Sequence, residues 1–536
     1  MSGKIKQIAV GSGLIAVAYF ISRFLGLIRD IIIARKFGAG GLTDIYIASF
    51  FIPDALSYML AGGAFSIILI PMLAKHVTET DPPQIDNKGQ EIFTAIFTPM
   101  TLVILFLTIV GIVLTPWLSA VIFPKFAKNP VQFGQLVQLT RIVLPAQIFF
   151  MVGGMINATL RARQDFRGNI WGPNIYNLGI ILGGLGLGSV IGIEGLSIGV
   201  LIGAFFGPFF ICYLMAGKTI RYQLSFNFKS PEFKEYIKLT LPLMIGVSLL
   251  TVDQHFIRYF GAKQGIAEGT ISCLNFSRTI MLLPIALIGQ AAGQVSLTYL
   301  SQLWKSENIQ EFSSVLSQTM RGVVFLSIVL AGGIFLVAQP LITLIYFGGA
   351  FTLEKNHYTA MLLRYIIFAV PPFAALQILM NGYYSRHNTL RPMVVSSICT
   401  VFSAYIYYKF CDLWKGPGIA AASLTSFWLI FLVILWDYVH KYGKKEELNL
   451  SPLYITAFKS FVAVCFSVIA AVLVFEYPGI IHFNPDRRIG ALLQIGASGT
   501  VYVVLVFLSL LLMGGDESDI LKKLFKKIQR RFLPHL

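Results

Sequence analysis

The sequence predicts an all-α polytopic membrane protein with about 14 transmembrane helices. Three observations carry that expectation. Of 536 residues, 56% are hydrophobic and only 12% charged, at a mean hydropathy of +0.73; a soluble chain is about a quarter charged, and this one has too little polar surface to cover itself in water. Apolar segments of about 20 residues, the length that crosses a hydrocarbon core, recur along the whole chain. The 48 Gly and 44 Phe suit helices packed in lipid, where Gly admits close backbone approach. The same composition excludes a disordered chain, a collagen-like repeat and a disulfide scaffold. Cys212, Cys273, Cys399, Cys411 and Cys465 are scattered in or beside apolar spans and read as small hydrophobes.

The spans fall at roughly 8–34, 44–73, 92–122, 134–159, 170–190, 194–217, 239–260, 268–300, 322–347, 359–384, 392–410, 417–439, 453–476 and 488–514. The first is too long for a signal-peptide core and lacks a small-residue cleavage site, so it is expected to be retained. No gap between spans could hold a globular domain. With the N-terminus in the cytoplasm, the cytoplasmic segments carry 25 of the 42 Lys and Arg against 11 outside, which predicts cytoplasmic termini. Contact with anionic lipid then explains the net charge of +17, and no nucleic-acid partner is implied. Within the tail, Ile520, Leu521, Leu524, Phe525, Ile528 and Phe532 form one helical stripe and the basic residues largely another, as in an interfacial amphipathic helix.

An internal repeat organises the spans. Asp30, Arg35, Phe37, Gly38 and Ala39 in span 1 and Asp253, Arg258, Phe260, Gly261 and Ala262 in span 7 both read D-x4-R-x-F-G-A, at an offset of 223. The same offset relates Arg163 to Arg386 and Asp165 to Asn388, in the loops after spans 4 and 10. The expected organisation is a lobe over 1–222 (spans 1–6), a second over 223–445 (spans 7–12), an appended pair over 446–514 and a basic tail over 515–536. Six spans separate the halves, so they share one orientation, as in parallel-repeat transporters.

Ionisable side chains within spans are costly and usually face a cavity. Here they are Arg23, Arg29, Asp30, Asp44, Asp54, Arg141, Asp253, Arg278, Arg364 and Lys459; Asp44, Arg364 and Lys459 lie close enough to span ends for snorkelling to account for them. On span 1, Arg23, Gly26, Arg29 and Asp30 share an arc of about 120°, with Ser22 beside them. Two guanidiniums on one stripe cannot face lipid. Arg278 adds a cation from the second half, and the planar fork of arginine suits phosphate or pyrophosphate oxygens. The predicted substrate is anionic, and an internal ion-pair network with Asp30, Asp44 and Asp253 is the competing reading. Asp253, following Ser248 and Thr251, is a candidate for a coupling sodium or proton, or else a structural partner of Arg258 or Arg278.

Enzyme chemistry finds no constellation. Gly217-Lys218-Thr219 resembles the end of a phosphate-binding loop, but Cys212 stands where its first Gly belongs. No D-x-D or His/Glu pair lies within a span, and the seven His do not cluster. The Gly run from Gly183 to Gly203 is spaced for tight helix packing and lacks a dinucleotide-site context.

The stretch Ser22-Arg23, Gly26, Arg29-Asp30, Phe37-Gly38-Ala39-Gly40, Thr43-Asp44, Pro53, Gly63-Ala64-Phe65-Ser66 and Pro71 resembles the N-terminal signature of the MurJ/MviN-type lipid II flippases, of the multidrug/oligosaccharidyl-lipid/polysaccharide exporter superfamily. The similarity runs from about 8 to 514. It implies a flippase of the bacterial cytoplasmic membrane that moves the undecaprenyl-pyrophosphate-linked muropeptide to the outer leaflet by alternating access. Arg23, Arg29 and Arg278 then match cavity arginines, Asp44 an aspartate near the outer gate, and spans 13 and 14 a groove for the polyprenyl tail. The partners implied are lipid II, membrane lipids and cell-wall synthesis proteins, with the chain acting as a monomer.

Two departures stand out. Ser57 and Tyr58 occupy the positions of a family arginine pair in span 2, and Gly62 that of a glutamate; Arg141 in span 4 is a candidate replacement for the missing cation. Span 11 offers Ser396, Ser397, Thr400 and Ser403 but no carboxylate to a sodium site seen in some members, so the membrane potential acting on the cavity arginines is an equal energy source. The alternative functions are an exporter of the same fold for another polyprenyl-linked glycan or a drug, and a non-transporting scaffold for wall synthases.

Overall fold

In the computed structural model the described residues are 21–61, 68–80, 83–217, 220, 223–245, 249–443, 449–475 and 483–514. Among them the chain is helical throughout, with only two isolated β-bridges, Val77 to Ile85 and Gly348 to Phe351. Among the described residues, helices fall within each of the 14 expected spans. Eight helical stretches among the described residues are long and apolar enough to cross a membrane on that ground alone.

Local chemistry explains where the helices start and break. Span 1 is helical over 21–37 and stops at Gly38, whose φ of 74° no β-branched residue would adopt comfortably. Span 2 comes in pieces, Gly41–Ala48, Phe51–Ala61 and Ile70–Ala74; Pro53 sits in the first turn of the second piece, where its missing N–H is no loss. Asp86 opens span 3 (Asn87–Ile122) by accepting from the Gly89 N–H at 2.7 Å. Span 4 is Pro130–Val143 and Ala146–Ala162, begun by Asn129 and Pro130. Span 9 (Ile309–Leu336) starts well before its apolar run because Asn308 caps it and in turn donates to the Glu311 carboxylate. The 49-residue helical stretch Leu390–Tyr438 is two spans: Lys415, at φ 54° before Gly416-Pro417-Gly418, breaks it where spans 11 and 12 are expected to part.

Spans 5 (Arg167–Leu185) and 6 (Glu194–Ala204, continued by a π-helical turn Phe205–Ile211 and by Cys212–Ala216) meet through backbone. A Cβ on Gly179 would stand 2.5 Å from the Gly203 Cα, and one on Gly183 2.6 Å from the Gly199 Cα. The glycine spacing in the sequence is thus a packing device, as expected.

Two compact units divide at Ser272 and Cys273. Spans 1–7 belong to the first: Pro231–Ile245 and Leu249–Gly261, although they begin the second sequence repeat, are held there by contacts described below. Its core gathers Ile96, Met100, Met155, Ile156 and Tyr236. The second unit holds span 8 (Thr270–Pro284, a π-helical turn Ile285–Gln290 and Ala291–Lys305), except its first three residues, and spans 9–14, including span 10 (Leu353–Ile366 and Val370–Tyr384). Spans 13 (Ser451–Phe475) and 14 (Arg488–Met513) pack on span 9, where Val464 and Tyr502 cover Gly332 and the Tyr502 hydroxyl donates to the Val329 carbonyl at 2.7 Å. Lys459 donates to the Met513 and Gly514 carbonyls, a cation on the C-terminal end of span 14. Phe106, Val113 and Trp117 of span 3 and Val401, Phe402 and Tyr405 of span 11 are exposed, which only a lipid solvent makes reasonable. The tail over 515–536 lies outside the described residues.

The repeat is visible in the backbone. After span 4, the Asp165 N–H donates to the Leu160 carbonyl and the Gln164 N–H to that of Arg161; after span 10, Asn388 donates to Tyr383 and His387 to Tyr384. Both are Schellman closures.

Candidate functional site

The span 1 stripe does not stand alone. Arg29 donates through Nε to Asp30 Oδ1 at 3.0 Å, with Nη2 at 2.9 Å from the same oxygen, and through Nη1 to the Asn177 side-chain oxygen of span 5 at 3.2 Å. Asn177 Nδ2 in turn donates to the Pro173 carbonyl at 3.0 Å and reaches the Ser22 carbonyl at 3.5 Å. The Arg29 side chain is 28% exposed while that of Asp30 is 1% exposed, so the carboxylate is buried beneath a side chain that is itself part-buried. A Cβ on Gly26 would meet nothing within 4 Å, so the stripe is unobstructed there. Arg23 is half-buried. Part of the competing ion-pair reading is therefore right: Arg29 is paired with Asp30, yet not sealed in.

A second ion pair lies in the same unit. Arg258 of span 7 donates through Nη1 to Asp54 Oδ2 of span 2 at 2.7 Å. Spans 1 and 5 thus meet in one charged contact, and spans 2 and 7 in another. Ser57, at a family arginine position, donates to the Gln147 side-chain oxygen of span 4.

Asp44 is buried and accepts three hydrogen bonds, from the Gly269 N–H at 2.7 Å and from the Ser272 N–H and hydroxyl at 2.8 and 2.5 Å. Those donors are the N-terminus of span 8, where unpaired backbone N–H groups and the helix dipole favour an anion. Lys125 donates to the Ile266 carbonyl at 2.8 Å and Gln132 to the Glu268 carboxylate at 3.2 Å. The loop between spans 7 and 8 is held by three separate contacts.

The other expected residues are placed as follows. Arg278 is buried on Thr270–Pro284, in the second unit. Asp253 is fully buried on Leu249–Gly261; Ser248 and the Thr251 side chain lie outside the described residues. Arg141 is exposed and donates to the Ile112 carbonyl of span 3 at 3.1 Å, so the structure does not join it to the Arg29 cluster. Among the described residues no group of three His, Cys, Asp or Glu could hold a metal ion. The four span 11 hydroxyls all donate to carbonyls of their own helix. On the outer face of spans 13 and 14, Tyr454, Ile455, Phe458, Val462 and Met513 line an apolar groove of about 540 Å³ with Lys459 at its edge.

The family model described as "Lipid II flippase MurJ" matches residues 33–480. The chain belongs to that family. A probable lipid II flippase MurJ of Buchnera aphidicola subsp. Schizaphis graminum is 25% identical over 526 residues, covering 96% of this chain and 98% of the relative. One of Rhizobium tropici is 24% identical over 414 residues, 76% of each chain. Among solved structures, a lipid II flippase MurJ in an inward closed conformation superposes at a TM-score of 0.74 with 21% identity, covering 92% of this chain and 97% of that one. A multidrug-resistance MATE transporter of the MOP superfamily superposes at 0.63 with 14% identity, covering 79% and 95%. The MurJ family is one of transporters and not of enzymes.

For a MurJ-family chain, the sequence reading missed two site residues: Asn177 and Ser272. Asn177 carries a signal in retrospect, as an amide amid an apolar span, whereas Ser272 has none, because backbone N–H groups do most of the binding to Asp44.

Proposed function

We propose that this chain translocates the lipid-linked peptidoglycan precursor, lipid II, from the inner to the outer leaflet of the bacterial cytoplasmic membrane by alternating access, with both termini cytoplasmic. Membership of the MurJ family supports the substrate. The single observation that carries the site is Arg29, part-buried, paired with buried Asp30 and fixed by Asn177. Such a guanidinium is pre-oriented and retains donors for a pyrophosphate. Arg23, with Ser22 and Gly26 beside the stripe, completes the anion site within the first unit, Arg278 on span 8 is a further candidate cation, and the polyprenyl tail lies along the groove at Phe458 and Met513. Asp44 on the span 8 N-terminus acts as the outer gate, closed while Gly269 and Ser272 donate to it. The membrane potential acting on the arginines supplies the drive, and Asp253 serves as a buried structural or proton-coupling carboxylate.

The test is outer-leaflet accessibility of lipid II in cells depleted of this protein and complemented with wild type, Arg29→Ala or Arg278→Ala at equal expression. Restoration by wild type alone supports both substrate and site. Equal restoration by all three removes the arginines from the site, and failure of wild type removes the substrate.

A further inference from the structure

The contact between the starts of spans 2 and 8 runs in both directions. Asp44, in the first turn of span 2, accepts from the Gly269 and Ser272 N–H groups at the start of span 8. Glu268, the residue before Gly269, lies against the start of span 2. A Cβ on Gly41, the first residue of that helix, would stand 3.2 Å from the Glu268 Cδ and Oε2 and 3.4 Å from Oε1. A third helix holds the carboxylate there, because Gln132 of span 4 donates to Oε1 at 3.2 Å. Gly40, just before the helix, has no side chain with which to cap it.

A helix start presents N–H groups without intrahelical partners and the positive end of a dipole, and both favour a carboxylate beside the first turn. Each of the two helices thus has an anion from the other at its start. Two glycines permit the arrangement. Gly41 leaves the space against which the Glu268 carboxylate rests, and Gly269, at φ 86°, takes a backbone turn that residues with a Cβ rarely adopt. Through that turn, consecutive residues of one loop serve both contacts. Lys125 steadies the same loop by donating to the Ile266 carbonyl at 2.8 Å.

We infer, on the reading of Asp44 as the outer gate, that Glu268 is a second gate residue reciprocal to it, and that the two crossed contacts are made and broken together. Glu268 is a positioning residue: it holds the start of span 8 against span 2 so that Gly269 and Ser272 reach Asp44. The two carboxylates differ in setting, Glu268 being exposed and Asp44 buried. Salt screens an exposed charge far more than a buried one, so added salt loosens the gate through Glu268.

The experiment is hydrogen-exchange mass spectrometry of the full chain in detergent micelles, at about 0.05 and 0.5 M salt, on wild type, Glu268→Gln, Glu268→Asp and Asp44→Asn. At low salt, amide exchange over 269–272 should be about two- to fivefold faster in Glu268→Gln than in wild type, with part of the protection kept in Glu268→Asp. High salt should bring wild type toward Glu268→Gln and leave that variant unchanged. Faster exchange over 41–43 alone makes the contact a local one and overturns the inference. Unchanged exchange over 269–272 in Glu268→Gln, with faster exchange in Asp44→Asn, also overturns it and leaves the Asp44 gate standing. Unchanged exchange in both variants overturns the Asp44 reading and Glu268 with it. Thermal unfolding identifies a variant that has lost its fold. Gly41→Ala, which crowds the Glu268 carboxylate without altering any charge, then carries the comparison: faster exchange over 269–272 is expected, and no change overturns the inference.

Discussion

Arg258 and Asp54, 204 residues apart, form an ion pair at 2.7 Å that ties the second repeat's first helix to span 2. Asp54 lies one helical turn before Ser57, where the resemblance in the sequence implies a cation that this chain lacks. The pair delivers a guanidinium to that neighbourhood from a different helix. Breaking a buried pair on one side leaves an uncompensated charge; with Asp54 about one-third exposed, the cost is at most about 3 kcal/mol. We expect Arg258→Gln and Asp54→Asn each to lower the unfolding temperature and to abolish complementation of depleted cells. The swap Asp54→Arg with Arg258→Asp separates the roles. Recovery of the unfolding temperature without recovery of complementation makes Arg258 a substrate cation, whereas recovery of both makes the pair structural only.

The Asp44 carboxylate draws two of its three hydrogen bonds from backbone, so substitution at its partner and at itself should differ. Ser272→Ala removes one donor and leaves the helix N-terminus intact; a loss of about 1 kcal/mol and reduced, measurable complementation are expected. Asp44→Asn removes the charge and turns an amide toward N–H groups, costing about 2–3 kcal/mol. Complementation by dilution plating should fall further for Asp44→Asn. Equal effects would mean the hydroxyl, and not the helix end, holds the gate.

Glycine packing between spans 5 and 6 gives a contrast within one experiment. A Cβ on Gly199 would stand 2.6 Å from the Gly179 carbonyl oxygen and 3.0 Å from the Ile180 Cα, both backbone atoms that cannot swing aside. Gly199→Ala should therefore cost about 2 kcal/mol or more, read as a lower unfolding temperature in detergent. A Cβ on Gly496, in the middle of span 14, meets nothing within 4 Å. Gly496→Ala should be neutral or stabilising by up to about 1 kcal/mol through helix propensity.

The loop after span 4 predicts a pH effect. Burial raises the Asp165 carboxyl, but hydrogen bonds and charge from Arg167 more than offset it, and the net position is below the usual carboxylate range. A depressed carboxyl contributes stability above its ordinary value, lost as the pH falls through the folded value. Unfolding temperature should drop between about pH 5 and 3, with a smaller drop in Asp165→Asn. The second repeat has already made that substitution: Asn388 occupies the matching place and donates to the Tyr442 hydroxyl at 2.8 Å. Asn388→Ala should lower stability equally across that range.

The span count, the break at Lys415 and the glycine seam were legible because each depends on local composition: hydropathy over about 20 residues, a Gly-Pro-Gly sequence, a small residue every fourth position. The charged stripe was legible for the same reason, since Arg23 and Arg29 lie on one helix. What escaped reading was the choice of partner across helices. Arg141 is apolar-flanked in the sequence much as Arg29 is, but it is exposed and bonded to Ile112, while Asn177, 148 residues from Arg29, fixes the guanidinium. Pairing of that kind depends on tertiary register, which no spacing within one span encodes. The unit boundary at Ser272 likewise follows from the contacts of Asp44, Lys125 and Arg258, against a repeat boundary some 50 residues earlier.

The contact of Gly179 and Gly183 with Gly203 and Gly199 also has a mechanical result. Two helices touching through backbone have no interdigitated side chains to re-seat, and a shift by one residue would drive Ile180 or Ile202 into the opposing main chain. Spans 5 and 6 therefore act as a single stiff beam. The π-helical turn Phe205–Ile211 around Pro208 is packed in the same way: a Cβ on Gly153 would stand 2.2 Å from the Pro208 carbonyl oxygen, and one on Gly207 2.5 Å from that of Gly172. The unit that holds Arg29 thus has a fixed strut, and Asn177, which orients that arginine, is built into it.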